Sequence, residues 1–529
     1  MIVNADGSLV HDHDPWWRTD VVYQIYPRSF ADTTGNGVGD LRGIIAHLDH
    51  VADLGVDAIW LSPFYRSPMA DFGYDISDHC DVDPLFGSLA DADELIRAAH
   101  ERDLRVVVDF VPNHVSDQHE WFMAARSSVD DPHRDWFVWR DPAPDGGPPN
   151  NWSAAFGQDS AWTLDEASGQ YYLHLFLPEQ PDVDWNRQGV VDEMHDVLRF
   201  WMDRGVDGFR ADVVHCIGKS EQLPDMPAEL VGLPAMLQDF GPGTHEQLRG
   251  LRRVVDSTTG EHLLVGETYV LDPAQMASYL GHGDELHLAF NIAALHCPWD
   301  AQKWRETIES TDALLDPVGA WPTWVLSNHD ERRHRSRYGS DARARAAAVL
   351  LLTLRGTPFL YMGEELGLAD AVVAPEKVVD PGGRDGCRAP LPWTSADGHG
   401  WATEPWLPFP PEAGSHSVEA ETGTPGSMLE HYRRLLRLRR AVPALHRGDL
   451  VLLDAPAGVL RWHRSAAPRH GDGSDTPSVV EVAINFTDRT VAGAIGAGLV
   501  LGGTVVEPDE LSEEPGVLGP DEARIVAVA

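Results

Sequence analysis

Short apolar runs punctuate the first 361 residues, and amphipathic stretches fill the gaps between them. VVYQI (21–25), AIWL (58–61), VVVDF (106–110), GFRA (208–211), LLV (263–265), ELHLA (285–289), TWVL (323–326) and PFLY (358–361) each read as a β-strand. LRGIIAHLDHVADLG, ELIRAAHERDL and VVDEMHDVLRFWMDRG place apolar residues three and four apart, the helical period. The last of these ends in a glycine suited to a C-cap. Strands apolar on both faces belong to parallel sheets covered by helices. Eight of them alternating with helices predict a closed (β/α)₈ barrel, whose site lies at the strand C-terminal ends.

Two segments break the rhythm. Residues 113–181 are rich in Pro, Gly, Trp and Asn, with few helical signals, and are too long for a plain loop. They predict an inserted subdomain after the third strand. Beyond residue 441 the period becomes that of antiparallel strands, in VLRWHR, SVVEVAINF and RIVAV, with a Gly/Ser/Asp-rich break at RHGDGSDTP. The expected division is a barrel of residues 1–112 and 182–441, an insert of 113–181, and an antiparallel C-terminal β-domain of 442–529.

Three strands end at a carboxylate: GFRAD at Asp212, LLVGET at Glu267 and VLSNHD at Asp330. Carboxyl groups gathered on one rim are what cleavage of a glycosidic bond requires. Retention needs one to attack the anomeric carbon and another to protonate the leaving oxygen and then activate water. Arg210, two residues before Asp212, is placed to hold that aspartate ionised and lower its pKa, as a nucleophile requires. Glu267 follows an apolar strand, a setting that favours the protonated acid. Asp330, beside His329, suits stabilisation of positive charge in the transition state. His114 ends VVVDFVPNH just beyond a strand, so it too faces the rim, where Asp109 organises the strand end.

A formal charge of −42 argues against nucleic acid and anionic membranes as partners, and not against a neutral sugar. No apolar run reaches the ~18–20 residues of a membrane span, the N-terminal residues do not read as a secretory signal, and Cys80, Cys216, Cys297 and Cys387 lack metal or disulfide-framework spacing. A cytoplasmic address is expected. DTTGNGVGD alternates oxygen ligands around glycines, as calcium loops do. Asp32, Thr34, Asn36, the Val38 carbonyl and Asp40 could surround one structural Ca²⁺, or Mg²⁺. No organic cofactor is expected.

The motifs VVYQIYPRSF, GVGDLRGI, AIWLSPFYRSPMADFGYDIS, DFVPNH, QPDVDW, GFRAD, GET, SNHD and YMGEELG occur in this order. Together they make the chain resemble the α-amylase family of glycoside hydrolases, in its oligo-1,6-glucosidase and α-glucosidase branch. The resemblance implies Asp212 as nucleophile, Glu267 as acid/base and Asp330 as transition-state stabiliser, with Arg210 positioning Asp212. It implies that His114 and His329 hold sugar hydroxyls in subsite −1. Tyr74 becomes a stacking residue and Asp75 a gate of that subsite. Arg388 would pair with Asp75 across the pocket floor, with Arg384 as the alternative, and the closed floor would make the enzyme exo-acting. The function implied is retaining release of terminal α-glucose from maltose and short malto-oligosaccharides. An oligo-1,6-glucosidase, toward which Val213 leans, and a glucosyl-transferring or sucrose-processing enzyme are alternatives, with an inactive binding subunit more remote.

Overall fold

The computed structural model describes residues 2–3, 9–10, 14–157, 159–270, 272–469, 476–504 and 516–528. All eight expected strands form: β1 (Val22–Ile25), β2 (Ala58–Leu61), β3 (Arg105–Phe110), β4 (Gly208–Ala211), β5 (Leu263–Gly266), β6 (Leu288–Ala289), β7 (Thr323–Val325) and β8 (Thr357–Tyr361). They make one parallel sheet in the order β6-β5-β4-β3-β2-β1-β8-β7. Backbone ladders join every neighbour in that order. The remaining seam, between β6 and β7, is bridged by a side chain: Thr323 Oγ1 donates to Ala289 O at 2.7 Å and accepts from Asn291 N at 3.1 Å.

Alternation along the strands divides the apolar residues into two cores. Val22, Trp60, Val107, Val265, Val325 and Phe359 fill the barrel interior. Tyr23, Ile59, Val108, Phe209 and Leu264 face the surrounding helices. Period two with both faces buried is what a strand sheathed by helices demands. The helices after β1 depart from expectation. LRGIIAHLDHVADLG forms two helices, Leu41–Ala46 and Leu48–Leu54, because His47 leaves helical geometry at φ −116°, ψ 12° and turns Nδ1 onto the Gly43 carbonyl. Ser88 and Asp91 form a capping box at the start of Leu89–His100.

Between β3 and β4 stands a helix, Glu120–Ser127, with a three-stranded antiparallel sheet of Trp139–Arg140, Trp162–Asp165 and Gln170–Leu173. At the C-terminal end, β9 (Asp449–Leu452), β10 (Val459–Ser465), β11 (Val479–Asn485), β12 (Leu499–Gly503) and β13 (Ala523–Ala527) form an antiparallel sheet in the order β9-β10-β11-β13-β12. Buried Arg464 joins it to the barrel by donating to Thr353 O at 2.6 Å and Leu445 O at 2.9 Å. Among the described residues, no helix is long and apolar enough to cross a membrane.

Candidate active site

Sheet register brings the first two carboxylates together. Ala211 of β4 pairs with Gly266 of β5 and with Phe110 of β3. Asp212 and Glu267 are the next residues along their strands, so they leave the barrel at one level. The ladder continues through Asp212 N to Phe110 O and Glu267 N to Ala211 O, both at 2.8 Å. One residue earlier, Arg210 pairs with Asp109, and its buried guanidinium serves three acids. Nη1 lies 2.6 Å from Asp109 Oδ1 and 2.6 Å from Asp212 Oδ1, while Nη2 lies 2.7 Å from Glu267 Oε2. Trp60 Nε1 donates to the other Asp109 oxygen at 2.9 Å.

This sharing changes the electrostatics foreseen from Arg210 alone. Burial pushes the Asp212 carboxyl up; Arg210 pulls it down, and Glu267, Asp109 and Asp330 push it up again, leaving it well above the usual range. The expectation of a lowered Asp212 is therefore corrected: burial outweighs Arg210, and that one cation is also divided among three acids. Burial likewise raises Asp109, to about 6, against Arg210. Glu267 does not sit in the apolar setting that its strand suggested, since its Oε2 also accepts from Val213 N at 3.2 Å. Val213 makes that bond from the left-handed region, φ 33°, ψ 41°, which a β-branched residue rarely enters.

Asp330 follows β7 and faces two arginines. Arg384 Nη1 lies 2.8 Å and Arg388 Nη2 3.2 Å from its Oδ1, and His329 Nε2 is 3.2 Å from Oδ2. Burial opposes its charge, but His329, Arg384 and Arg388 prevail and hold it well below the usual carboxylate range. Burial pushes His329 down to about 3, leaving a neutral ring near pH 7. Tyr74 OH at 2.6 Å and Gln24 Nε2 at 2.8 Å fix that ring from its two nitrogens, and the Tyr74 ring stacks on it at 5.4 Å. His114, also pushed down to about 3 by burial, is held between Asn113 Nδ2 and Gln180 Nε2, each 3.1 Å away.

The expected pair of Asp75 and Arg388 does not form. Asp75 is fully buried and accepts from Ser67 Oγ, Ala70 N and Asp71 N, so it braces its own loop. Arg388, equally buried, donates to His329 O at 2.7 Å and Asp380 at 3.0 Å. The pair across the floor is Asp71 with Arg384, at 2.6 Å. Phe72 at φ 49° and Gly73 at φ 117° curl the loop so that Asp71, rather than Asp75, looks inward.

These groups converge on one pocket of about 410 Å³. Asp71, Tyr74, His114, Asp212, Glu267, Asp330 and Arg384 line it, and the inserted subdomain contributes Ala155, Phe156 and Phe176. Sequence reasoning missed Asp71, the insert's aromatics, and Met236 and Tyr269, which share one apolar cluster with those aromatics. Only Asp71 carried a local signal, as the second carboxylate of ADFGYD.

A model of the alpha amylase catalytic domain matches residues 24–448, which include β2 to β8, the end of β1 and the pocket. The chain belongs to the α-amylase family. Among its curated relatives, this α-amylase-family protein is 42% identical over 495 residues to a "Probable alpha-glucosidase" of Rhizobium meliloti (strain 1021), covering 87% of this chain and 89% of that one. It is 37% identical to an oligo-1,6-glucosidase of Parageobacillus thermoglucosidasius, covering 90% and 91%. The solved structure of an alpha-glucosyl transfer enzyme superposes with a TM-score of 0.88 at 39% identity, covering 97% and 100%. The family and these relatives establish an α-glucosidase-type glycoside hydrolase.

Proposed function

We propose that the pocket releases terminal glucose from short α-glucosides by double displacement. The observation that carries this reading is the floor: Arg384 bridges Asp71 and Asp330, so a sugar entering from the mouth meets a closed end. A chain end fits such a pocket and the middle of a chain does not. Asp212 attacks the anomeric carbon, and Glu267 gives its proton to the leaving oxygen. Glu267 then takes a proton from water as water displaces Asp212. The reactive form is the one in which Asp212 is ionised and Glu267 carries the proton it donates. Asp330 faces the positive charge that develops on the sugar, Asp71 and His114 hold its hydroxyls, and His329 positions Tyr74 behind them.

Maltose, isomaltose, trehalose and sucrose, followed in parallel by anomeric proton NMR, test this. α-Glucose released first from maltose supports retaining hydrolysis of the α-1,4 bond. Cleavage of isomaltose alone moves the reading to an oligo-1,6-glucosidase, as the Parageobacillus relative is named. New linkages in place of free glucose favour transfer, the activity named for the structural neighbour.

The Asp32–Asp40 loop fits a cation less fully than its pattern implies. Both Asp40 oxygens accept from Thr33, and Oδ1 also caps the following helix at Gly43 N, 2.7 Å away. Asp32 and Asn36 accept backbone N–H groups of their own turn. A structural Ca²⁺ would rest on Asp32, with Thr34, Asn36 and the Val38 carbonyl as neutral ligands, a weakly charged set. Metal analysis of protein purified with and without EDTA tests it. The four cysteines are unbridged, which suits the cytoplasmic address included in this proposal.

A further inference from the structure

The segment that carries Asp330 is tied at its neck. It leaves β7 at Leu326 and ends in the helix His334–Tyr338. Ser327 Oγ accepts from His334 N at 2.9 Å and lies 3.0 Å from His334 Nδ1, and Arg337 donates to Leu326 O. Inside the neck, Asn328 Oδ1 accepts from Asp330 N at 2.9 Å and from Glu331 N at 2.8 Å, which fixes the turn at Asp330. Where the Ser327–His334 pair sits, Asp330 follows.

Against that pair lies a carboxyl that the reaction does not use. Glu364 opens the turn after β8, is 2% exposed, and has one oxygen 3.8 Å from His334 Nδ1. It also faces Ser327, Arg333 and, from the helix Met428–Ala441, Tyr432. Arg333 is committed elsewhere: Nη1 donates to Met362 O at 2.8 Å, and its Cζ lies 4.6 Å from the Tyr361 ring centre. Glu365, the next residue, accepts from Tyr23 OH and Gly363 N, each at 2.8 Å, and lies 3.4 Å from His50 Nε2. Burial pushes the Glu364 carboxyl up to about 8 and Glu365 adds to the push, against the Tyr361 main chain, Ser327 and Arg333. Burial holds His334 down to about 3, a neutral ring near pH 7. Among the described residues, neither Glu364 oxygen, nor His334 Nε2, nor Tyr432 OH has a well-formed hydrogen bond, so these atoms are left for one another. An uncharged carboxyl both donates and accepts, and can serve the neck and Tyr432 together. A carboxylate only accepts, and would sit dry beside Glu365 at a high cost.

Resting on the α-glucosidase reading above, we propose that Glu364 is a positioning residue which, as an uncharged acid, seats the Ser327–His334 neck and through it holds Asp330 against the sugar. Opening of the neck lets water reach Glu364, which then ionises as an ordinary glutamate does, at about 4.5. Between there and about pH 8 the closed form keeps a proton that the open form has lost. Opening therefore gains about tenfold per pH unit in that window and levels off above it.

Amide exchange of residues 327–334 in the full chain, corrected for the intrinsic pH dependence of exchange, reads the neck without any substrate. In the parent, protection falls about tenfold per unit between roughly pH 5.5 and 7.5. In Glu364→Gln, which keeps the shape and cannot ionise, protection is flat with pH and kcat on maltose stays within about threefold of the parent. Glu364→Leu keeps the bulk without the polar contacts, so kcat falls roughly 10- to 100-fold while KM moves less than about threefold. The same pH slope in the parent and E364Q overturns the inference, as does parental kcat in E364L, and both leave the glucosidase reading standing. Should E364L not fold, the exchange comparison with E364Q decides alone. Failure of the parent to release glucose from any of the four sugars overturns the glucosidase reading, and the exchange slopes still judge the neck.

Discussion

Replacing Arg210 by Lys isolates the shared guanidinium. An ammonium keeps the charge but not the fork. Placed where Nη1 now sits, it retains Asp109 and Asp212, each 2.6 Å away, and gives up the 2.7 Å bond from Nη2 to Glu267. A hydrogen bond to a charged group contributes about 1.5–3 kcal/mol. Both carboxyls must be aligned in the transition state, so that loss falls on kcat/KM, a decrease of roughly 10- to 100-fold at ~1.4 kcal/mol per decade. Glucose release from maltose gives kcat/KM, and a urea unfolding midpoint separates misalignment from unfolding. A variant within about threefold of the parent, with an unchanged midpoint, would refute the claim that one guanidinium aligns both reacting carboxyls.

Asp109→Asn removes a carboxylate from the Arg210 fork. Asp212 is then less pushed up, and ionises at lower pH, so the acid limb of the kcat/KM profile moves to lower pH; a limb that moves up contradicts the charge sharing. Asp71→Asn weakens the bond to Arg384 and the hold on substrate hydroxyls, and lowers kcat/KM on maltose by roughly 10- to 100-fold. Asp75→Asn acts mainly on stability, because Asp75 meets only its own loop; thermal melts beside kinetics distinguish the two. Lys219→Met strips the buried Asp182 of its partner at 2.9 Å and costs about 3–5 kcal/mol, read as a lower urea midpoint.

The strand ends were the legible part of this site. A strand's period fixes which way each side chain points, and the apolar runs fixed where each strand stopped, so Asp212, Glu267 and Asp330 could be placed on one rim before any coordinates. Loops carry no such period. In ADFGYD the sequence reading fell on Asp75, whereas the positive φ of Phe72 and Gly73 turns Asp71, four residues earlier, inward. Arg388 was preferred with Arg384 as the alternative; both reach Asp330, and Arg384 also reaches Asp71. The Asp212 electrostatics were misread for a related reason: sequence showed its arginine neighbour, but neither its burial nor the two other acids that β3 and the end of β5 bring to that arginine.

The Thr323 seam gives the barrel a beginning and an end. Six of its strands have a laddered neighbour on each side, whereas β6 and β7 meet through one hydroxyl. A closed ring of equal ladders opens nowhere in particular, but a ring with a clasp opens at the clasp. Native-state amide exchange would accordingly reach the β6–β7 edge at a lower free energy than the β3–β4 wall. Asp330 is borne on the loop that leaves the clasp strand β7, and Asp212 directly follows the wall strand β4. Warming would therefore loosen the group that faces the sugar's developing charge while the attacking carboxylate is still in place.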